Sequence, residues 1–235
     1  GGYGPRLRHF NNDRQDYRVN CYHCELLEEV DQFRYVIECF KEDISTRRAV
    51  VTIGDPNKDD FNEKRNLKQT LDIPCTRMLH FIKDPEYNKL NMIVSMRSND
   101  LIWGASAVNI FNFTFMQEYF ASMLGMEIGS YFHIANNFHF YEDKLKIVES
   151  IANSNITDDI PFEYNKTFSS LQEFDSLVKT LNEEEMKMRI YGNSYKYLYI
   201  EDPFFRDWYN VLYVFNTHRT INFVNPILNS LIHGK

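Results

Sequence analysis

Four polar side chains stand together between two apolar segments in the stretch MRSNDLIWG, from Met96 to Gly104. Arg97 and Ser98 form a natural pair for a phosphate, because a guanidinium offers a planar fork of donors and a serine adds a short hydroxyl. Each hydrogen bond to such a charged group contributes about 1.5 to 3 kcal/mol. Asp100 is an anion and cannot bind a phosphate, so we expect it to face a different ligand. No role for Asn99 follows from the sequence.

A lone cysteine, Cys75, follows Pro74 at the head of a predicted strand, with Arg77 two residues later. Only about 3% of an ordinary thiol is ionised at pH 7, so a nucleophilic cysteine needs positive charge nearby. Cysteines in apolar surroundings are more often inert packing residues. Both interpretations of Cys75 are open at this point, because the sequence supplies arginines but not their distances.

Two further patterns carry hydrogen-bonding side chains. His139 and Tyr141, in NNFHFY, are two apart on a predicted strand and share a face, which suits a sugar hydroxyl, although a satisfied core histidine is commoner. Cys21 and Cys24, in CYHC, suggest zinc, but no second CxxC or HxxxH completes a four-ligand site. We therefore expect no metal.

The composition sets the class of protein. A chain of 235 residues, 43% of them hydrophobic, is large enough for one substantial core. The formal net charge of -7 argues against binding to nucleic acid, which needs a basic face. No apolar run is long enough for a membrane span, and the four cysteines are too sparse for a disulfide scaffold. We expect a soluble protein of a reducing compartment, without nucleic-acid or membrane partners.

Hydrophobic periodicity predicts an α+β fold, a mixed sheet with helices packed on it. Helical spacing predicts helices over 25–43 and 108–126 and after a capping-box pattern from Ser170 to Glu173. Strands are predicted in RAVVTIGDP, CTRMLHFI, KLNMIVSMR and EIGSYFHIANNFHFY, and a short helix is predicted at the C-terminus.

Taken together, five motifs in order resemble the thymidylate synthase family, which includes the phage deoxycytidylate hydroxymethylases. YGPRLRHF (3–10) is similar to the family's Tyr-Gly-x-x-x-Arg, and STRRAVV (45–51) to its Ser-Arg-Arg-Ile-Ile strand start. IPCTRMLHF (73–81) is similar to the Pro-Cys nucleophile strand, and MRSNDLIWG (96–104) to Arg-Ser-x-Asp-x-x-x-Gly. NNFHFY (136–141) is similar to Gly-Asp-x-His-x-Tyr. The resemblance covers roughly residues 2–150.

The resemblance implies a role for each matching residue. Cys75 would be the nucleophile that adds to carbon 6 of a pyrimidine, so that carbon 5 attacks the one-carbon unit of 5,10-methylenetetrahydrofolate. Tyr3 would lie near the reacting carbon, and Asp100 would hydrogen-bond the folate pterin. The remaining matches would hold the nucleotide: Arg97 and Ser98 its phosphate, His139 and Tyr141 its sugar hydroxyl, and Arg47 and Arg48 the phosphate of a partner in a homodimer.

The base-reading residue is ambiguous. Family members have an asparagine four residues after the motif glycine, where the phage cytidylate enzymes have aspartate. Four residues after Gly104 is Val108, and Asn109 comes one later. An inserted or bulged residue would bring Asn109 to the base, where its amide matches uracil; Val108 there would leave the base preference open.

The resemblance thus predicts an enzyme that transfers a one-carbon unit to carbon 5 of a pyrimidine deoxynucleotide monophosphate, with dUMP to dTMP as the leading reaction. The alternatives are a dUMP or dCMP hydroxymethylase, which the MRSND wording favours, and an inactive relative that binds nucleotide or protein. We expect a catalytic core over 1–150 and a divergent, mainly helical extension over 151–235. The family's general-base glutamate comes from upstream of Tyr3, so we expect an N-terminally incomplete core. The expected compartment is the cytoplasm, or the host's cytoplasm for a phage protein.

Overall fold

The computed structural model describes residues 4–8, 31–70, 73–155 and 161–233. Its contacts divide the chain into two compact units, with the boundary after Ser154. Helices and a mixed sheet make up the structure, so the predicted α+β class is confirmed. No helix in the described part of the chain combines the length and apolar character that a bilayer crossing requires.

The first unit contains the sheet and the helices that cover it. In chain order its elements are α1 (Gly4–Arg8), α2 (Gln32–Glu42), β1 (Val50–Thr52), α3 (Pro56–Asp59), β2 (Thr76–Lys83), β3 (Lys89–Met96), β4 (Asn99–Asp100), a π-helical segment (Leu101–Val108), α4 (Asn109–Met123), β5 (Glu127–Ala135), β6 (Phe138–His139) and α5 (Leu145–Ala152).

The main sheet has the strand order β1-β2-β3-β5. β2 pairs antiparallel with β1 and β3, whereas β3 and β5 are parallel. The predicted alternation in β3 is confirmed, because Leu90, Met92 and Val94 are fully buried and the residues between them are not. α2 and α4 pack on this buried face, where the ring of Phe120 contacts those of Phe33 and Phe81.

A second, two-stranded sheet continues from the ends of β3 and β5. β4 and β6 are parallel, with Asn99 opposite Phe138 and Asp100 opposite His139. Backbone hydrogen bonds bridge the two sheets, from Asn136 to Met96 and from Asn99 to Asn137. The MRSND and NNFHFY stretches are therefore neighbours in space.

The helical region that follows β4 begins earlier than predicted. A continuous helix was expected over 108–126, but helical structure already starts at Leu101, in π-helical form. Asp100 caps this segment, since its carboxylate Oδ1 accepts a hydrogen bond from the backbone N–H of Trp103. An aspartate before an apolar run is a helix-start signal, and the pattern of apolar residues alone did not disclose it.

Gln117 fastens α4 to the sheet. This side chain is 1% exposed, and its amide nitrogen donates to the carbonyl oxygens of Leu90, Gly129 and Ser130. These carbonyls lie where the register between β3 and β5 shifts, so the strands there leave backbone acceptors for the helix to satisfy. The position of Asn109, at the start of α4, thus depends on the centre of the sheet.

The second unit is mainly helical in its described residues. It contains α6 (Leu171–Tyr191), α7 (Pro203–Thr217) and α8 (Pro226–His233). The predicted cap of α6 is confirmed, because the hydroxyl of Ser170 accepts from the N–H of Glu173. Buried Asp207 joins the unit together by accepting hydrogen bonds from the Tyr164 hydroxyl and from the backbone of Val224 and Asn225.

Candidate active site

Cys75 lies at the start of β2, beside the end of β3. The backbone N–H of Arg97 donates to the Cys75 carbonyl at 2.9 Å. The Arg97 guanidinium donates to the carbonyls of Ile73 and Pro74, at 2.9 and 3.3 Å. The structure therefore brings half-buried Cys75 next to exposed Arg97, although the two residues are 22 positions apart in the sequence.

Ser98, His139 and Tyr141 form a polar group next to Arg97. The Ser98 hydroxyl and His139 Nδ1 are 3.4 Å apart, and the rings of His139 and Tyr141 meet edge to face with centroids 5.3 Å apart. The pairing of β4 with β6 produces this contact. A cation, two hydroxyls and an imidazole are thus available on one side of the strand ends.

Asp100 has one carboxylate oxygen committed and one unpaired. Oδ1 caps the π-helical segment, whereas Oδ2 is buried and has no hydrogen-bond partner among the described residues. A buried acceptor without a donor costs about 1 to 3 kcal/mol. A ligand N–H that reaches Oδ2 would remove this cost.

The π-helical segment determines which residue lies next to Gly104. In a π-helix each N–H bonds five residues back instead of four, and the N–H of Asn109 bonds the Gly104 carbonyl in this way. The extra residue of this sequence is absorbed by the wider turn. Asn109 consequently lies against Gly104, and Val108 is 37% exposed.

A row of hydrogen bonds runs from Asn109 into the sheet. The Asn109 Nδ2 donates to Asn99 Oδ1 at 2.9 Å, and Asn99 Nδ2 lies 2.5 Å from His133 Nε2. The other imidazole nitrogen of His133 lies 2.8 Å from the Tyr131 hydroxyl. Asn99, for which the sequence suggested no role, is 3% exposed and occupies the middle of this row.

With the Asn99 oxygen facing Asn109, one arrangement of protons satisfies the row. Asn99 accepts with its oxygen from Asn109, so it donates with its nitrogen to His133 Nε2, which must carry a lone pair. The His133 proton then lies on Nδ1 and is donated to the Tyr131 oxygen. Desolvation lowers the pKa of His133 and so favours this neutral form, and burial raises the pKa of Tyr131.

Gly104 allows the close approach of the two asparagines. A Cβ added at this position would lie 1.9 Å from Asn99 Oδ1 and 3.1 Å from Asn109 Nδ2. Any larger residue would therefore displace the amide group that joins Asn109 to Asn99. The glycine of the MRSNDLIWG motif is required by this contact.

Arg47 and Arg48 do not reach Cys75 within the chain. The Arg47 carbonyl accepts a hydrogen bond from His80 Nε2 at 3.1 Å, five residues along β2 from Cys75, or about 15 Å of extended strand. The Arg48 guanidinium contacts Glu42, and both arginines are exposed. These two predicted site residues lie at the opposite end of the sheet.

Some predictions concern residues that the structure does not describe, and some residues of the row were not predicted. Tyr3, Cys21 and Cys24 lie outside the described residues. His133 and Tyr131 were missed, although they stand two apart on a strand and show the same spacing that drew attention to His139 and Tyr141.

A cysteine, an arginine followed by a serine, and a side-chain amide thus lie around one set of strand ends. The comparison with protein families gives the family: the model described as thymidylate synthase matches residues 1–194. The chain belongs to the thymidylate synthase family.

Similar proteins carry two kinds of name. A deoxyuridylate hydroxymethyltransferase of Bacillus phage SP01 is 38% identical over 152 residues, which are 63% of this chain and 36% of that protein. A deoxyuridylate hydroxymethyltransferase of Pseudomonas phage M6 is 36% identical over 122 residues, which are 52% of this chain and 33% of that protein. A putative thymidylate synthase of Methanosarcina acetivorans is 29% identical over 151 residues, 64% of this chain and 57% of it. The chain thus spans about a third to just over half of the length of these relatives.

The row predicts a histidine that resists protonation. We expect an NMR titration to give His133 a pKa below 6.5, the value of an unperturbed histidine. Because the unfolded chain then binds the proton more readily, this residue's contribution to the free energy of unfolding is complete above about pH 6.5 and is lost as the pH falls below it. The variant His133→Gln identifies the resonance by its absence. A pKa above 6.5 would contradict the preference for the neutral form.

Proposed function

We propose that this chain contains the nucleotide site of an enzyme that transfers a one-carbon unit to carbon 5 of dUMP. The observation that carries the proposal is the position of Arg97, which contacts the segment before Cys75 and adjoins Ser98. A phosphate on Arg97 would keep a nucleotide within a few ångströms of the thiol. Membership in the thymidylate synthase family supports the same reaction class.

In this proposal Cys75 is the nucleophile. Its sulfur forms a bond to carbon 6 of the pyrimidine, and the electrons of the 5,6 double bond move toward carbon 5 and the carbonyl at carbon 4. Carbon 5 becomes a carbon nucleophile, which an unmodified pyrimidine is not. After the one-carbon unit is attached, loss of the carbon 5 proton breaks the bond from that unit to the folate nitrogen and leaves an exocyclic methylene on the nucleotide. Addition of hydride or water to this methylene then expels the Cys75 thiolate and restores the 5,6 double bond of the ring.

The other residues of the site bind and orient the nucleotide. Arg97 and Ser98 hold the phosphate, with a planar fork and a hydroxyl. His139, in β6, and Tyr141, just after it, hold the sugar hydroxyl. Fixing the nucleotide at both points brings carbon 6 into reach of the thiol and removes the entropic cost of an unguided encounter.

Asn109 reads the base. Its amide nitrogen has one hydrogen committed to Asn99, so its second hydrogen and its oxygen remain for a ligand. An acceptor beside a donor matches the ring N–H and the carbon 4 carbonyl of uracil. This match supports dUMP as the substrate.

Asp100 fits the co-substrate. Its unpaired, buried Oδ2 is an acceptor that suits an N–H of a pterin ring. Bound 5,10-methylenetetrahydrofolate supplies the one-carbon unit. Asp100 binds and orients this molecule on the side of the strand ends that carries the π-helical segment.

Hydroxymethylation is the second candidate for the completed reaction. It is favoured by the two phage relatives, which are the more similar ones by identity and are named deoxyuridylate hydroxymethyltransferases. A methyl product requires hydride transfer to the nucleotide and leaves dihydrofolate, whereas water attack gives a hydroxymethyl product and leaves tetrahydrofolate. The folate product therefore distinguishes dTMP formation from hydroxymethyl-dUMP formation.

We further propose a cytoplasmic homodimer in which Arg47 and Arg48 reach the partner's phosphate. Both arginines are exposed and are too far from Cys75 to serve their own chain. The face of the sheet opposite the core is also apolar, with Met78, Phe132 and Ile134 exposed to 37%, 49% and 48%. Pairing through Ser95 aligns Met78 with Ile134 on this face. A second copy would bury it and carry its arginines across.

The domain assignment is part of the proposal. Residues 1–150 form the catalytic core and residues 151–235 a C-terminal extension. The division of contacts after Ser154 supports this boundary. The family match continues to residue 194, so the first part of the extension retains family-like sequence.

The reaction predicts that the protein carrying this chain releases tritium from [5-³H]dUMP when methylenetetrahydrofolate is present. The variant Cys75→Ala should lower the release by at least about a thousandfold, because no other group forms the bond to carbon 6. Cys39→Ala is the matched control, since Cys39 is buried in α2, and this variant should keep the release. Absence of tritium release from the wild type would refute the reaction and favour an inactive relative.

The shared site predicts complementation between two inactive variants. Cys75→Ala and the double variant Arg47→Gln/Arg48→Gln are each inactive, and equal amounts are mixed and refolded together. Half of the dimers then hold one subunit of each kind, and each such dimer has one intact site, so about a quarter of wild-type activity should return.

Two results would count against the shared site. Activity of the double variant alone would show that these arginines do not bind the phosphate. A refolded mixture without activity, despite a dimeric mass, would show that each site is built from one chain.

A further inference from the structure

We propose that Asn99, held by His133, fixes the orientation of the Asn109 amide and thereby makes the site select uracil over cytosine. The inference rests on the proposed function, because it assigns Asn109 to the base. Asn99 acts through Asn109 and is therefore a positioning residue. His133 is the group that gives Asn99 its own orientation.

An asparagine whose amide is not held in place can present two different edges to a base. Rotating a side-chain amide by half a turn exchanges its oxygen and nitrogen with little change in shape. One orientation presents an acceptor to ring position 3 and a donor to position 4, which matches uracil. The other presents the reverse, which matches cytosine with its ring nitrogen acceptor and exocyclic amino group. An unrestrained Asn109 would accept both bases.

The hydrogen bond between Asn109 and Asn99 removes this freedom. The Asn99 oxygen lies 2.9 Å from Asn109 Nδ2, and an oxygen accepts but does not donate. Asn109 must therefore direct its nitrogen toward Asn99. The hydrogen that remains on that nitrogen and the amide oxygen then form the uracil-matching edge.

Asn99 is in turn oriented by His133. Asn99 Nδ2 lies 2.5 Å from His133 Nε2, and this nitrogen accepts when the imidazole proton lies on Nδ1 and is donated to the Tyr131 hydroxyl. In that tautomer, rotation of Asn99 would place its oxygen against a nitrogen lone pair. Both amides would lose a hydrogen bond in a site where Asn99 is 3% exposed and water does not replace it.

The packing holds the two amides against each other. The β4 backbone is held by the hydrogen bond from Asn99 N–H to the Asn137 carbonyl, at 2.9 Å. Gly104 borders both amides so closely that even a methyl group would overlap Asn99 Oδ1. The π-helical turn sets Asn109 opposite this pair.

The test compares two substitutions at Asn99 in the protein that carries this chain. Asn99→Leu has a similar size and no hydrogen-bonding group, so Asn109 becomes able to rotate. Asn99→Asp is the matched control, because a carboxylate only accepts and still orients the Asn109 nitrogen, with His133 donating to it. The dissociation constants of dUMP and dCMP are measured by calorimetry.

We expect the wild type to prefer dUMP and Asn99→Leu to lower the ratio of dCMP to dUMP dissociation constants by about tenfold or more. Asn99→Asp should keep the ratio. If Asn99 had only a structural role, Asn99→Leu would weaken the binding of both nucleotides equally and leave the ratio unchanged. That result would overturn the inference.

A second pair of variants tests the inference if Asn99→Leu does not fold. His133→Leu removes the acceptor that orients Asn99 and should also lower the ratio, whereas His133→Gln provides an amide oxygen as acceptor and should restore much of it. Equal ratios in both His133 variants and the wild type would overturn the inference.

The proposed function fails in a different way. If the wild type binds neither dUMP nor dCMP, the nucleotide site itself is refuted, and the base-reading role of Asn109 falls with it. If the wild type binds both equally well, the site stands and the orienting role of Asn99 is wrong.

Discussion

The hydrogen bond between the side chains of Asn109 and Asn99 is the constraint on which the site depends. It joins the start of α4 to the end of β4, two elements that otherwise meet through the π-helical segment. The bond forms only where a glycine lies beneath it and where a five-residue turn brings Asn109 around to it. Gln117 holds the same helix against the centre of the sheet. Side-chain hydrogen bonds thus hold α4 at Asn109 and again at Gln117, about two turns further along the helix.

The same strand ends bring opposite charges to separate places. The Arg97 guanidinium turns back toward Ile73 and Pro74, whereas the Asp100 carboxylate turns forward to cap the π-helical segment. The two side chains stand three positions apart in the sequence, and their contacts direct them to different places. A cation and an anion therefore have separate surroundings within one short stretch. This arrangement resolves the apparent conflict of an arginine and an aspartate in a single motif.

The elements with strong periodicity could be predicted from sequence, and so could the fold class. β3 alternates between buried and partly exposed residues as its sequence indicates, and α6 begins at the serine that the capping pattern marks. The adjacency of Cys75 and Arg97 is different, because it depends on the register of β2 and β3, which local sequence does not fix. The resemblance to the thymidylate synthase family suggested that adjacency; periodicity did not.

The choice between Val108 and Asn109 shows a second limit. Counting residues from Gly104 assumes an ordinary helical turn, and the sequence contains no signal that the turn is π-helical. The hydrogen bond from the Asn109 N–H to the Gly104 carbonyl, which places Asn109 against that glycine, is seen only in three dimensions. The contact of Asn99 with His133 depends on the positions of two separate strands, and the two-apart spacing of Tyr131 and His133 does not indicate it.

The most direct test of the central claim is covalent trapping at Cys75. A 5-fluoro analogue of dUMP is suited to this, because carbon 5 cannot lose fluorine as a cation and the bond to sulfur persists. The protein is incubated with the analogue and methylenetetrahydrofolate, digested, and examined by mass spectrometry. The account predicts a nucleotide adduct on the peptide that contains Cys75. An unmodified Cys75 peptide, or an adduct on Cys39 instead, would contradict it.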